Sequence, residues 1–94
     1  MSDTPQVSHN PAAGQFEIRT EAGIALLRYV HAGPDLDLVH TEVPAAMEGK
    51  GYAAALTNAA LDYATNERMK IIPSCPYVSA YIKRHPERAA LVAS

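Results

Sequence analysis

The residues of this 94-residue chain that could do chemistry are one cysteine, a histidine–glutamate pair and two closely spaced glycines. Cys75 is the only cysteine, so it cannot form a disulfide within the chain, and it lacks the partners of a zinc site. It lies where a strand pattern ends and a helix pattern begins. Because a helix N-terminus stabilises a thiolate, this position favours a nucleophile. The alternative is a small buried hydrophobic residue.

His40 and Glu42 lie two residues apart in a predicted strand that ends before Pro44. Regular alternation places four residues on one face of this strand, namely Leu36, Leu38, His40 and Glu42. A neighbouring imidazole and carboxylate can act as a general base and its orienting group. A half-exposed polar strand face predicts the same pattern, so both interpretations stay open.

The segment Glu48-Gly49-Lys50-Gly51-Tyr52 lies between that strand and a predicted helix. Glycines allow a tight turn and a close approach of the backbone to a ligand. The first N–H groups of a helix have no internal partner, so they can bind a phosphate or pyrophosphate. A capping turn without a ligand would have the same sequence. The Walker loop is excluded, because Gly51 stands where it requires Ser or Thr.

The remaining patterns predict one α/β domain. Residues 1–14 are rich in Pro, Ser, Gly and Asn and are predicted to form a flexible tail, and residues 15–94 to form the domain. The predicted elements are strands over 16–19, 24–30 and 36–43, a helix over 51–66, a strand over 68–72 and a helix that begins after Ser74 and ends at His85. The strand–helix–strand crossover favours parallel neighbours, and hence a mixed sheet.

Composition excludes several classes of function. The net charge of −2 and the pI near 6.0 lack the basic footprint of a nucleic-acid-binding protein. No apolar window approaches the length of a membrane span, and no signal peptide is visible, so we expect a cytoplasmic protein. The short basic cluster that includes Lys83 and Arg84 is either a solvated helix face or a local anion site.

Several motifs together resemble a family of minimal GNAT-type N-acetyltransferases. They are VHTEVP at 39–44, EGKG at 48–51, IIPSCPYV at 71–78, Tyr81, and RHP at 84–86. The resemblance covers roughly residues 16–92. It implies a small mixed sheet, splayed open, with helices packed on it and acyl-CoA bound in the gap. The family lacks the N-terminal helices of full-length GNAT enzymes, which agrees with the short chain.

The resemblance also implies roles for individual residues. The pyrophosphate would bind the backbone amides of Gly49, Lys50, Gly51, Tyr52 and Ala53, and the pantetheine arm would pair with the main chain near Thr41 and Val43. The thioester would lie close to Cys75. Tyr81 falls about where full-length enzymes carry a tyrosine that protonates the CoA thiolate, although a buried packing role suits it equally. Lys83 and Arg84 could meet the 3′-phosphate of CoA.

One position departs from the family pattern. Full-length loops begin with Gln or Arg three residues before the first glycine, where this chain has Ala46.

The motifs and the resemblance together predict an N-acetyltransferase that moves an acetyl or small acyl group from acetyl-CoA to an unidentified amine, on a small molecule or a protein. An acyl-cysteine is one route for this transfer. The alternatives are a non-catalytic CoA-binding or acyl-CoA-binding module and, less favoured, an interaction domain without ligand. A monomer or weak homo-oligomer is expected.

Overall fold

The computed structural model of the chain describes residues 6–93. Five strands form one sheet in the order β1-β2-β3-β4-β5, and they are β1 (Ser8–Asn10), β2 (Gln15–Thr20), β3 (Gly23–Ala32), β4 (Asp35–Glu42) and β5 (Ile71–Ile72). The pairs are antiparallel except for β4 and β5, which are parallel. In the same residues, helix α1 (Tyr52–Asn66) lies between β4 and β5, helix α2 (Pro76–Arg84) follows β5, and short 3-10 helices span Ala45–Met47 and Pro86–Leu91. The predicted α/β class and mixed sheet are confirmed.

The hydrophobic core lies between one face of the sheet and α1. Alternate residues of the strands point into it, and small residues of α1 let the helix approach closely. The sheet contributes Phe16, Ile18, Ala25, Leu27, Tyr29, Leu36 and Leu38, and α1 contributes Leu56, Ala60, Leu61 and Ala64. In the described part of the chain, no helix has the length and apolar character that a membrane crossing requires.

Strand β1 differs from the predicted flexible tail. Residues 8–10 pair with β2, and the ring of His9 stacks on Phe16 with 4.3 Å between centroids. The Nε2 atom of His9 lies 2.6 Å from the hydroxyl of Tyr29. Contacts with distant residues therefore order a segment whose own composition predicts a loop. Residues 1–5 of the predicted tail lie outside the described residues, and the boundary at residue 15 stays a prediction.

A β-bulge in β4 changes which side chains share a face. The register with β3 shifts by one residue, with the pairs Tyr29↔Leu38, Arg28↔His40 and Leu27↔Thr41. Val39 is the extra residue, and directly opposed residues share a face. Thr41 therefore joins Leu38 on the core face, whereas His40 and Glu42 point outward. The predicted alternation that placed these two residues with Leu36 and Leu38 is wrong, because it assumes an unbroken strand.

The sheet opens where β5 ends. Only Ile71 and Ile72 pair with β4, and Pro73, which cannot donate to a ladder, follows them. Within residues 6–93, the last backbone hydrogen bond between β4 and the chain after β5 runs from the Cys75 N–H to the Leu38 carbonyl, at 2.8 Å. Cys75 is the N-cap of α2, so the helix begins at Pro76, one residue later than predicted, and leads the chain away from β4. The result is the predicted splay.

Candidate active site

The glycine loop leaves the N-terminus of α1 open. Gly49 and Gly51 both have φ of 79°, a left-handed conformation that glycine adopts without strain. Gly51 is the N-cap of α1, no side chain caps the helix, and its first turn contains no acidic residue. The first N–H that bonds back to Gly51 is that of Ala55, at 3.0 Å. The preceding three N–H groups are therefore available to an anion at the positive end of the helix dipole.

A cleft of about 340 Å³ joins this loop to the open gap of the sheet. Its lining combines the loop, the residue after β4 and the first turn of α2, namely Val43, Met47, Glu48, Gly49, Gly51, Tyr52, Ala53, Ala54 and Tyr77. Five of the predicted cofactor-binding residues thus lie around one cleft. Lys50 faces a second cleft of about 330 Å³ on the other side of the loop, together with Glu21. Tyr77 was not predicted as a site residue, although it lies two positions after Cys75.

The thiol of Cys75 lies on the core face of the gap, 3.4 Å from the hydroxyl of Thr41. Cys75 is only 5% exposed, and burial by itself raises the pKa of the thiol. The Thr41 hydroxyl and the backbone N–H groups of Val78 and Tyr77 outweigh burial, so the pKa is lowered. The Sγ atom makes no regular capping hydrogen bond to α2, and the helix N–H groups act on it as nearby dipoles.

His40 and Glu42 form a pair on the opposite face of β4. The Nε2 atom of His40 lies 3.2 Å from a carboxylate oxygen of Glu42, and their side chains are 54% and 64% exposed. At such exposure the attraction between the two groups is weak. The structure brings together the predicted base and orienting group, but it does not bring them to the face that carries Thr41 and Cys75.

Tyr81 lies in the interior between the helices. It is 8% exposed, and its hydroxyl donates to the side-chain carbonyl of Asn58 on α1, at 2.6 Å. The same oxygen accepts from Arg88 at 3.3 Å, and Arg88 also pairs with Asp62 at 3.0 Å. Tyr81 is not among the residues that line the cleft. Its hydroxyl thus serves a contact between helices, and its predicted catalytic role stays a prediction.

The predicted 3′-phosphate ligands lie at the far end of α2. Lys83 and Arg84 occupy its last turn and are exposed. There their positive charges interact favourably with the negative end of the helix dipole, as basic side chains near a helix C-terminus commonly do. Neither residue lines the two clefts around the glycine loop. The nine residues of α2 span about 13 Å, which separates these side chains from Cys75, and their role stays a prediction.

These features define a class of protein. A parallel strand pair opens beside a glycine loop, and a helix starts at once from that loop. The loop offers backbone N–H groups that can bind an anion. The domain is therefore a splayed-sheet α/β domain with a candidate anion-binding cleft.

Comparisons with known proteins give the family. The profile of GCN5-related N-acetyl-transferases matches residues 15–91, so the chain belongs to that family. The chain is 39% identical over 84 residues to Protein NATD1 of Gallus gallus, with 86% of this chain and 76% of that protein covered. Protein NATD1 of Homo sapiens is 38% identical over 84 residues, covering 86% and 74%. That of Xenopus tropicalis is 36% identical over 88 residues, covering 90% and 81%.

A solved structure shares the fold. The NMR solution structure of a GCN5-like protein from Staphylococcus aureus superposes with a TM-score of 0.75, covering 99% of this chain and 92% of that chain. Its sequence is 19% identical, so the likeness concerns the fold. The family profile and the sequence relatives confirm the minimal GNAT-type family that the motifs indicated, and the solved structure confirms the fold.

Proposed function

We propose that the protein transfers an acetyl or small acyl group from acetyl-CoA to an amine. The observation that carries the proposal is the continuity of one cleft, which runs from the open N–H groups of the glycine loop past Val43 and Tyr77. Neither Thr41 nor Cys75 lines this cleft, but Val43 lies two residues after Thr41 and Tyr77 two residues after Cys75, so the cleft ends close to the Thr41–Cys75 contact. Membership of the GCN5-related N-acetyl-transferase family supports the same reaction.

The residues present fit such a donor. No acidic residue in the first turn of α1 competes with a phosphate for the helix N-terminus. Lys50 would contribute its backbone N–H, because its side chain lines the second cleft with Glu21. Ala46 supplies no side-chain donor, so binding depends more on the backbone than in full-length enzymes. When bound, acetyl-CoA supplies an activated thioester. The side chains of the protein have to orient that thioester and accept or donate the protons that move during the transfer.

Cys75 is the proposed acyl acceptor. Its lowered pKa increases the fraction of thiolate, which is the nucleophilic form. Sγ would form a bond to the acyl carbon while the bond from that carbon to the carrier sulfur breaks. An amine would then take the acyl group from Sγ and lose one proton. His40, oriented by Glu42, would accept that proton through water molecules at the open gap, since the pair lies on the face of β4 away from Cys75 and cannot reach the amine directly.

A non-catalytic CoA-binding module is the second candidate. Two observations favour it, since His40 and Glu42 lie on the face away from Cys75 and the Tyr81 hydroxyl is engaged with Asn58. Such a module would need the glycine loop and the cleft, but neither a thiolate nor a base. It would bind CoA and acetyl-CoA alike and release no thiol.

Intact-protein mass spectrometry after incubation with acetyl-CoA tests the proposal. We expect the wild type to gain one acetyl group that Cys75→Ala lacks. Calorimetric titration with CoA on the same samples separates the other outcomes. Release of CoA thiol with an added amine, but without an adduct, would indicate direct transfer. Binding without thiol release would favour the binding module, and absence of binding would overturn both candidate functions.

A further inference from the structure

Helix α2 carries two tyrosines one helical turn apart, and their hydroxyls are in different situations. The rings of Tyr77 and Tyr81 lie 6.3 Å apart between centroids. Tyr81 is buried and its hydroxyl donates a hydrogen bond to the side-chain oxygen of Asn58, which also accepts from Arg88. For Tyr81 to donate elsewhere, this buried network would have to break, which is unfavourable.

Tyr77 is the tyrosine of α2 that lines the cleft. It is half-buried, and within residues 6–93 its hydroxyl has no hydrogen-bond partner. Its backbone N–H is one of the groups that lower the pKa of Cys75, so the start of its side chain lies near the thiol. Val43 lines the same cleft and lies two residues beyond Thr41, the partner of Cys75. Tyr77 therefore borders the gap next to Cys75.

We infer that the Tyr77 hydroxyl, and not that of Tyr81, meets the sulfur of the bound acyl carrier and protonates it as it departs. This inference rests on the proposed function. As the bond between the acyl carbon and the sulfur breaks, its electron pair stays on sulfur. The proton of the Tyr77 hydroxyl passes to that sulfur and gives a thiol. The tyrosinate recovers a proton from water, which the open cleft admits.

The surroundings of Tyr77 suit a donor. Burial raises the pKa of its hydroxyl, the neighbouring Tyr81 acts in the same direction, and Arg84 opposes them. The hydroxyl therefore keeps its proton at neutral pH. A thiolate that leaves into a half-buried cleft is poorly solvated, so a nearby donor speeds its departure.

A binding experiment tests the contact without relying on turnover. We would titrate wild type, Tyr77→Phe and Tyr81→Phe with CoA and with desulfo-CoA, which lacks the sulfur. The wild type should bind CoA about 3- to 10-fold more tightly than the analogue, the factor that one hydrogen bond gives. Tyr77→Phe should bind the two ligands equally. Tyr63→Phe, on the far side of α1 in the His9 cluster, is the matched control and should keep the wild-type preference.

The rate of thiol release gives the second readout, with acetyl-CoA as donor and hydroxylamine as the probe amine. Tyr77→Phe should lower this rate about 100-fold, as expected for loss of a general acid. If Tyr81→Phe removes the preference for sulfur and Tyr77→Phe keeps it, the inference is overturned and the proposed function stands. If the wild type binds CoA but releases no thiol, or does not bind CoA, the proposed function and the inference fail together.

Discussion

The hydrogen bond between Thr41 and Cys75 leads to the most direct prediction. Thr41→Val removes the hydroxyl and keeps the shape of the side chain, so the core face of β4 is little disturbed. The hydroxyl lies 3.4 Å from Sγ and can donate to it once the thiol is ionised. Burial of Cys75 raises the pKa of its thiol, and the Thr41 hydroxyl lowers it. Without this donor, the pKa of the thiol therefore rises.

The size of the effect follows from the kind of bond that is lost. Hydrogen bonds to charged groups contribute about 1.5–3 kcal/mol. The bond here is long and Thr41 is only partly buried, so the lower end of that range applies. About 1.4 kcal/mol corresponds to a factor of ten in an equilibrium constant. The thiolate fraction of Cys75 near neutral pH should therefore fall about tenfold.

Alkylation with iodoacetamide, followed by intact mass, measures this fraction because only the thiolate reacts. We expect the alkylation rate of Thr41→Val near pH 7 to be about one tenth of the wild-type rate, and the two rates to converge above about pH 9. Thr65→Val is the matched control. Its hydroxyl bonds to the Leu61 carbonyl on α1, away from the thiol, so its alkylation profile should equal that of the wild type.

An unchanged pH profile in Thr41→Val would refute the reasoning, since the hydroxyl would then have no influence on the thiolate. A profile displaced to lower pH would show that Thr41 accepts from the thiol instead. The same ionisation affects folding. Because the folded-state pKa of Cys75 is lowered, the thiolate contributes stability above it, and this contribution is lost as the pH falls through that pKa.

Three further predictions concern the loop, the helix contact and β1. Gly51→Ala, at φ of 79°, should lower the free energy of unfolding by about 1 kcal/mol and weaken acetyl-CoA binding; unchanged urea denaturation and calorimetry would contradict this. Tyr81→Phe should cost about 1 kcal/mol of stability by leaving Asn58 with a weaker partner, and an unchanged melting temperature would argue against that contact. Burial lowers the pKa of His9, so stability should fall as the pH drops below about 6.5, and His9→Phe should remove that part of the pH dependence in denaturation curves.

Much of the fold could be predicted because its signals are local. Alternation located β2, a largely apolar run rich in branched residues located β3, the glycine pair located the start of α1, and Pro73 located the end of β5. The conformation of the glycine loop was predicted for the same reason, since tight turns and helix starts depend on a few adjacent residues. Each of these features can be read without knowing which distant segment packs beside it.

The features that sequence reasoning missed depend on distant partners. Strand β1 has three residues and no alternation to detect, and it is ordered by the contacts of His9 with Phe16 and Tyr29. The bulge at Val39 has no signal in the neighbouring sequence, because it depends on how β4 pairs with β3. The position of Tyr77 in the cleft depends in turn on how α2 leaves the splayed sheet, which helical spacing alone does not give.

The bulge in β4 has a consequence for how this domain tolerates insertions and deletions. The strand consists of two segments with opposite phase, joined at Val39. Deletion of Val39 would restore a regular strand in which Leu38 opposes Tyr29 and His40 opposes Arg28, the same pairs as before. Thr41 would therefore stay on the core face, and His40 and Glu42 would stay on the outer face. If the bulge were lost without the loss of a residue, the two faces beyond Leu38 would be exchanged, and His40 and Glu42 would turn towards Cys75. The bulge, more than the identity of the residue at its centre, therefore determines which groups face Cys75.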